Sequence, residues 1–316
     1  MREQGALGTG GSPRSGSSSL RFGPGSLCAL MSCGATGSLS TCSATRDQEM
    51  RPQDYFAENP VFRVEDFQRV HADEGGRSRQ TTASLLKQHV AAGNLVRPRR
   101  GLYATVPRGV SAEDLVVDGF LLAAHHAPDA VLAYHTALQL RGRVYTPWSR
   151  YHVLTAGRSR PWAWRGVEVV PVLVPKALRA LDGWGGGVQE LRHVGGTVRV
   201  ATLERSLVDV LHRPDLGGAW EEIWRSLELV EFFDLDVVVT YVERLGSAVT
   251  AARVGFFLEQ HRDALMVEDH HLAALEALAP AGPCYLDPGQ EQGRWFGRWN
   301  LVVPERVVTR SWGDVW

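Results

Sequence analysis

The pattern of apolar and polar positions divides this chain into three parts. Residues 1–50 are dominated by Gly, Ser and Thr and have scarcely any bulky apolar periodicity, so they cannot bury enough surface to offset the entropy of ordering. We expect this leader to be disordered, or to be missing from a protein whose translation starts at Met50. Residues 51–108 and 113–316 have the periodicity of folded domains, and residues 107–111 join them as a linker.

Residues 51–108 contain two helical patterns followed by a short hairpin. In VFRVEDFQRVHA the apolar residues recur at helical spacing, and SRQTTASLLKQHVAAG has one apolar and one polar face and ends at Gly93. The stretch NLVRPRRGLYATV predicts two short strands, at 95–96 and 102–106. Helices followed by a small basic hairpin are typical of a winged helix-turn-helix.

The remaining chain mixes helical and strand patterns. Helices are predicted at 113–126, 134–140, 203–212, 219–230, 235–245, 248–260 and 268–277. Strands are predicted at 151–155, 167–174, 197–201 and 296–303. Strands followed by a run of helices favour an α+β fold over a doubly wound sheet. The predicted architecture is therefore α+β, with an N-terminal winged helix-turn-helix followed by a larger mixed α/β C-terminal domain.

Charge is unevenly distributed, although the net charge of the 316 residues is only −1. Residues 75–112 contain seven Lys or Arg and no Asp or Glu, whereas residues 109–316 contain 20 basic and 26 acidic residues. A local positive field on an otherwise acidic body suits a single nucleic-acid-binding face.

That charge lies where a winged helix-turn-helix meets DNA. The second helix of such a module enters the major groove, where Arg, Lys and Gln read base edges, and the hairpin meets the adjacent backbone or minor groove. Arginine suits phosphate because its planar guanidinium binds two oxygens at once. The predicted DNA-binding residues are Arg77, Arg79, Gln80, Thr81, Thr82, Lys87, Arg97, Arg99 and Arg100. The alternative is a protein-binding adaptor, whose arginines would pair with acidic residues elsewhere.

Several stretches in one order resemble the AbiEi antitoxins of type IV toxin–antitoxin systems. They are AAGNLVRP and RRGLYATVP around the hairpin, AYHTALQLRG, VATLERSLVDVLHRPDLGGAWEEIWRSL, AARVGFFLEQ and YLDPGQEQGRWFGRWNLVVPE. The resemblance covers roughly residues 54–305. The chain departs from the family pattern at Arg141, where we expect His, so no role is assigned to that position.

The resemblance implies a cytoplasmic DNA-binding antitoxin that represses its own operon. Its expected partners are operator DNA with inverted repeats, a second copy of the chain on that DNA, and a cognate nucleotidyltransferase toxin that it opposes without a stable complex. The resemblance assigns the toxin-countering role to Glu204, Arg205, Asp209, Arg213 and Asp215. Helical spacing alone predicts that Arg205 and Asp209 pair on the exposed side of their helix, and ordinary scaffolding also accounts for these residues.

The sequence predicts no cofactor, no metal site and no catalytic residue. The histidines between 125 and 152 are spread over different predicted elements, and His270 and His271 are expected to point apart as helix neighbours. A DNA endonuclease, the third alternative, would gather carboxylates round a divalent metal beside a lysine. The chain has just two lysines, Lys87 and Lys176, and neither follows a Glu-x pair, so this activity is disfavoured.

Cysteine use and hydropathy bear on the compartment. Three of the four cysteines lie within residues 1–50, and only Cys284 lies in a segment predicted to fold. This usage suits a reducing cytoplasm and no disulfide framework. No apolar run approaches the length of a membrane span, so we expect no membrane partner.

Overall fold

A computed structural model of the chain describes residues 51–72, 79–287, 289 and 292–312. The predictions for the leader and for Arg77 lie outside these residues. The described part mixes helices and sheets, which confirms the α+β class. Among its helices, none combines the length and the apolar character that crossing a bilayer requires.

Residues 52–105 place helices against a small antiparallel sheet. In chain order the elements are α1 (Pro52–Glu58), β1 (Val61–Arg63), α2 (Val64–Ala72), α3 (Arg79–Ala91), β2 (Leu95–Arg99) and β3 (Leu102–Thr105). The sheet order is β1-β3-β2, so the predicted hairpin gains a third strand. That strand takes the start of a stretch predicted as helix, because Val61 and Phe62 are buried where they pair with β3.

Aromatic rings form the centre of this part. The ring of Phe67 on α2 lies 5.1 Å from that of Tyr55 and 5.6 Å from that of Phe56, both on α1. Leu86 of α3 is fully buried in the same cluster. Such rings bury on the order of 150–250 Å² each, which suffices to fix three short helices on a small sheet.

Helix α3 ends as predicted. Gly93 adopts a left-handed φ of +76°, a conformation that costs glycine little. The backbone N–H of Asn94 then donates to the carbonyl of His89 at 2.9 Å, which satisfies a carbonyl of the last turn. The chain therefore reverses directly into β2.

The next part is built on a six-stranded mixed sheet. Its elements are α4 (Gly119–Ala124), β4 (Val131–Leu132), α5 (His135–Leu140), β5 (Arg150–Thr155), β6 (Trp162–Trp164), β7 (Val167–Leu173), α6 (Lys176–Arg179), β8 (Val188–His193) and β9 (Gly196–Ala201). The strand order is β6-β7-β5-β4-β9-β8, with β5/β7 and β4/β9 parallel and the other pairs antiparallel. The three strands predicted here match β5, β7 and β9 within one residue at each end.

The helix predicted at 113–126 is much shorter in the structure. Ser111 and Asp114 close a side-chain turn, in which the backbone N–H of Asp114 donates to Ser111 Oγ at 3.1 Å. Asp118 then caps α4 by accepting the N–H of Leu121 at 2.9 Å. Residues 113–118 are turn and coil, because these polar side chains satisfy the backbone outside a helix.

The last part is mainly helical. Its elements are α7 (Leu203–His212), α8 (Trp220–Glu228), α9 (Leu235–Leu245), α10 (Ala248–Gln260), α11 (Asp269–Leu278), β10 (Cys284–Tyr285), β11 (Arg294–Phe296), β12 (Leu301–Val303) and α12 (Glu305–Val308). The five predicted helices are confirmed. The single strand predicted at 296–303 is wrong, because a 3-10 turn at Gly297–Trp299 and a left-handed Asn300 break it and send Trp299 into the core.

The small sheet shares buried surface with the body, which is the part of the chain formed by residues 119–308. Val61, Leu102 and Ala104 of the small sheet belong to the apolar core that runs through the six-stranded sheet and the helices behind it. The boundary between residues 108 and 113 stays a prediction. A displacement of β1 or β3 would therefore also disrupt apolar contacts within the body.

Replacement of Gly255 by Ala should destabilise the fold. A methyl group at Gly255 of α10 would overlap the buried indole ring of Trp299. We expect the free energy of unfolding to fall by about 1–3 kcal/mol, although Ala is the better helix former. Urea denaturation measures this. The control Gly282→Ala enters open space and should change the free energy of unfolding by less than about 0.5 kcal/mol.

Candidate nucleic-acid interface

Helix α3 presents a polar outer face. The side chains of Gln80, Ser84 and Lys87, which are spaced three and four residues apart, are exposed together on it. Thr81 and Gln88 are also exposed. These positions agree with the polar face derived from the sequence.

One of the predicted α3 contacts is buried on the inner face of the helix. Thr82, predicted as a DNA contact, is only 5 % exposed, so its side chain lies on the inner face of the helix and not on the polar outer face. Its spacing from Leu85, Leu86 and His89 explains this, because it falls on the apolar stripe. Arg79 begins the helix, and its side chain lies outside the described part.

The β2–β3 hairpin carries two exposed arginines. Arg97 on β2 and Arg100 in the turn are exposed, and the described residues offer neither of them an ion pair or a hydrogen bond. The turn itself depends on Gly101, whose φ is +81° and whose carbonyl accepts the N–H of Val64 at 2.9 Å. The start of α2 thus fixes the tip of the hairpin.

Arg99 behaves differently from its neighbours. It is half-buried, and its Nη1 lies 2.9 Å from Nδ1 of His126, in the loop after α4. Its guanidinium lies 5.8 Å from the ring centroid of Trp162 on β6. The sequence predicted a DNA contact at Arg99, whereas the structure places this group between the hairpin and the body.

His126 joins three segments of the chain. Its Nδ1 faces the donors Arg99 Nη1 and Trp162 Nε1, both at 2.9 Å, and its Nε2 lies 2.6 Å from Ser159 Oγ. Because Nδ1 accepts, the ring proton belongs on Nε2, where it can be donated to Ser159. Burial, and next the charge of Arg99, lower the pKa of His126 to about 4. The ring is therefore neutral at pH 7.

Most basic side chains of the described part have a partner. Arg298, for example, contacts both Glu259 and Glu276. Within the described ranges, the Lys and Arg side chains that have neither an ion pair nor a hydrogen bond are Lys87, Arg97, Arg100, Arg108, Arg158, Arg160, Lys176 and Arg192. Half of these lie in the acid-free segment 75–112. Uncompensated positive charge is thus concentrated on α3, the hairpin and the linker that follows.

Sequence reasoning missed His126, Arg158 and Arg160. A signal for the two arginines was available, because residues 130–167 form a second acid-free segment with six arginines and no Asp or Glu. No local pattern marks His126, since its partners are 27, 33 and 36 residues away.

The predicted pair Arg205–Asp209 forms, but it is buried and not exposed. Arg205 Nε lies 3.2 Å from Asp209 Oδ2, and each residue is 1 % exposed. Tyr241 donates its hydroxyl to Asp209 at 2.9 Å. The exposed side expected from helical spacing does not exist, because α5, α9 and α10 pack round α7.

A glycine-rich loop completes this buried network. Arg205 Nη1 donates to the carbonyl of Gly186 at 2.9 Å, and Arg244 Nη1 donates to that of Gly185 at 2.7 Å. Gly187 has a φ of +67°, and a Cβ there would lie 3.0 Å from the Cβ of Arg205. The loop therefore accepts hydrogen bonds from guanidinium groups through its carbonyl oxygens.

The other residues of the predicted toxin-countering set lie nearer the surface. Arg213 binds Asp215 through two hydrogen bonds, of 2.9 and 2.7 Å, and their side chains are 46 % and 59 % exposed. Glu204 accepts the backbone N–H of Asp234 at 3.4 Å. Asp215 also lines a surface cavity of about 560 Å³ together with Trp220, Asp287, Arg306 and Trp312.

His270 and His271 do not point apart as predicted. Their ring centroids are 3.8 Å apart, and their Nε2 atoms lie 3.5 and 3.3 Å from Oδ1 of Asp236. These groups are close enough to share a cation. However, His271 Nδ1 accepts the N–H of Glu268 at 3.2 Å, which leaves the ring proton on the nitrogen that faces Asp236. Attraction between this ring N–H and the Asp236 carboxylate therefore accounts for their approach.

Comparison of the chain with known protein families and with curated proteins finds no match. Among solved structures, the chain is similar to the crystal structure of RV2827C protein from Mycobacterium tuberculosis. The identity is 21 %, the match covers 78 % of this chain and 87 % of that chain, and the TM-score is 0.44. A likeness this distant carries no functional information.

Replacement of Arg99 by Ala should raise the pKa of His126 from about 4, because one of the two causes that lower it is removed. The value should stay below 6.5, since burial remains. Histidine titration by NMR measures this. His152 is the control: its pKa is also about 4, owing to burial and to charges other than that of Arg99, and should not change. An unchanged His126 titration would contradict the contact.

Proposed function

We propose that this chain is a DNA-binding transcriptional repressor whose residues 51–108 act as a winged helix-turn-helix. The order α2, α3, β2, β3, with two helices before a hairpin, supports this assignment. In such modules the second helix lies in the major groove, so α3 meets base edges through Gln80, Ser84 and Lys87. The hairpin then lies on the neighbouring phosphate backbone.

The observation that carries the proposal is the uncompensated charge of the hairpin. Arg97 and Arg100 are exposed, and no carboxylate in the described part pairs with them. Lys87 on the outer face of α3 is also exposed, and no carboxylate in the described part pairs with it. Cationic groups of this kind bind phosphates and release condensed counterions, which makes association favourable and salt-dependent.

Arg99 has a positioning role in this proposal. Its guanidinium bonds His126 and covers Trp162, so it holds β2 against the body. The contacts to phosphate come from Arg97 and Arg100, on either side of it. One anchored arginine between two exposed ones gives the hairpin a fixed orientation on the DNA.

The antitoxin role rests on the resemblance to the AbiEi family. In that role the repressor binds inverted repeats as a pair of copies, controls its own operon, and opposes a nucleotidyltransferase toxin. Burial removes Arg205 and Asp209 from any direct contact with a partner. The exposed pair Arg213–Asp215, of which Asp215 lines the 560 Å³ cavity, is the most exposed part of the motif and can be reached by a partner.

Replacement of Arg97 and Arg100 by Ala should weaken DNA binding by about tenfold at low salt, on all sequences alike. Loss of two phosphate contacts should also make the slope of log K against log salt shallower by about 2. Fluorescence anisotropy with a labelled duplex at several salt concentrations measures both quantities.

The matched control is Arg262→Ala/Arg294→Ala, which removes the same charge from residues paired with Asp269 and Glu305. It should change affinity less than twofold. Wild-type protein that fails to bind duplex even at low salt would overturn the DNA-binding proposal, and loss at one base position alone would show that the hairpin reads sequence.

Replacement of Arg213 and Asp215 by Ala should abolish protection against the toxin while leaving DNA binding intact. The test is growth of cells that express the nucleotidyltransferase encoded in the same operon, with wild-type or variant protein. Equal protection by both would remove this surface from the proposal. An operon without such a gene would contradict the antitoxin role.

A further inference from the structure

The loop between β5 and β6 is exposed and basic. Residues 156–161 are all exposed, and within the described part Arg158 and Arg160 have neither an ion pair nor a hydrogen bond. The other arginines of the acid-free segment 130–167 are engaged. Those that donate to backbone carbonyls are Arg141, Arg143 and Arg165, and the one that pairs with a carboxylate is Arg150.

This loop lies beside the hairpin. Ser159, between its two free arginines, has its Oγ 2.6 Å from His126 Nε2. The opposite side of the same imidazole faces Arg99 Nη1 at 2.9 Å. Trp162, which follows the loop, faces the same ring through its Nε1 at 2.9 Å. One aromatic ring therefore separates the loop from the hairpin.

We propose that Arg158 and Arg160 form a second phosphate-binding group that continues the DNA contact of the hairpin. This inference rests on the proposed DNA-binding function. Duplex DNA carries a negative charge for roughly every 1.7 Å of its axis, so a backbone that passes the hairpin has further phosphates for a basic group placed next to it. Guanidinium groups bind such phosphates in two-point fashion.

The contacts of His126 also explain how the hairpin and the β5–β6 loop keep a fixed position relative to each other. His126 is neutral at pH 7 and faces the hairpin through one nitrogen and the loop through the other. Arg99 supplies the contact on the hairpin side, and Ser159 supplies it on the loop side. The body thus contributes to the interface two arginines that lie outside the predicted DNA-binding domain.

The test compares duplex binding of four proteins by anisotropy over a range of salt concentrations. They are the wild type, Arg97→Ala/Arg100→Ala, Arg158→Ala/Arg160→Ala, and the control Arg262→Ala/Arg294→Ala. The loop variant should bind about tenfold more weakly at low salt, and its salt slope should be shallower by about 2. Arg158→Lys/Arg160→Lys keeps the charge and should retain the wild-type slope.

The outcomes separate this inference from the proposed function. If the hairpin variant loses affinity and the loop variant matches the control, DNA binding stands and the second group is overturned. If the wild type shows no salt-dependent binding, both are overturned. Thermal melting of each variant checks folding. Because both loop arginines are exposed and have no ion pair or hydrogen bond within the described residues, the loop variant should melt at the wild-type temperature.

Discussion

Compensation of buried and half-buried charge is the constraint on which the rest of this structure depends. An ionised group withdrawn from water without a partner costs several kcal/mol, so the body pairs its arginines with carboxylates or carbonyl oxygens. Arg205 with Asp209 and Arg298 with Glu259 are examples. The acid-free segments supply no carboxylates of their own, and several of their arginines, among them Arg97, Arg100 and Arg158, have no ion pair or hydrogen bond within the described residues and lie at the surface. The position of the acidic residues therefore decides in large part which arginines of the described chain are neutralised and which remain exposed cations.

His126 connects the basic hairpin to the body. A neutral imidazole accepts a bond from a cationic hairpin residue on one side and can donate to a loop hydroxyl on the other, without adding charge of its own. The pKa of the ring is low first because the ring is buried, and next because protonation would place a second cation against Arg99. Apolar packing also fixes the hairpin, since Leu102 and Ala104 of β3 belong to the core of the body. The basic hairpin is therefore attached to the body through buried apolar contacts as well as through Arg99.

Features encoded by neighbouring residues could be predicted from the sequence. The end of α3 at Gly93 and the helix at 203–212 depend on local turn chemistry and periodicity, and both were correct. The exposure of the Arg205–Asp209 pair could not be predicted, because helical spacing shows that two groups can meet but not which elements will cover them. The contacts of His126 depend on residues 27 or more positions away. Charge composition located the hairpin arginines, but only the fold shows that Arg99 turns inward.

The burial of Arg205 and Asp209 has a practical consequence for genetics. Breaking such an ion pair typically costs about 3–5 kcal/mol, a large fraction of the stability of an ordinary domain. Changes at these two positions will lower the amount of folded protein in the cell and will score as loss of function in any screen. A phenotype there reports on abundance and not on recognition, so immunoblotting must accompany every allele of this motif.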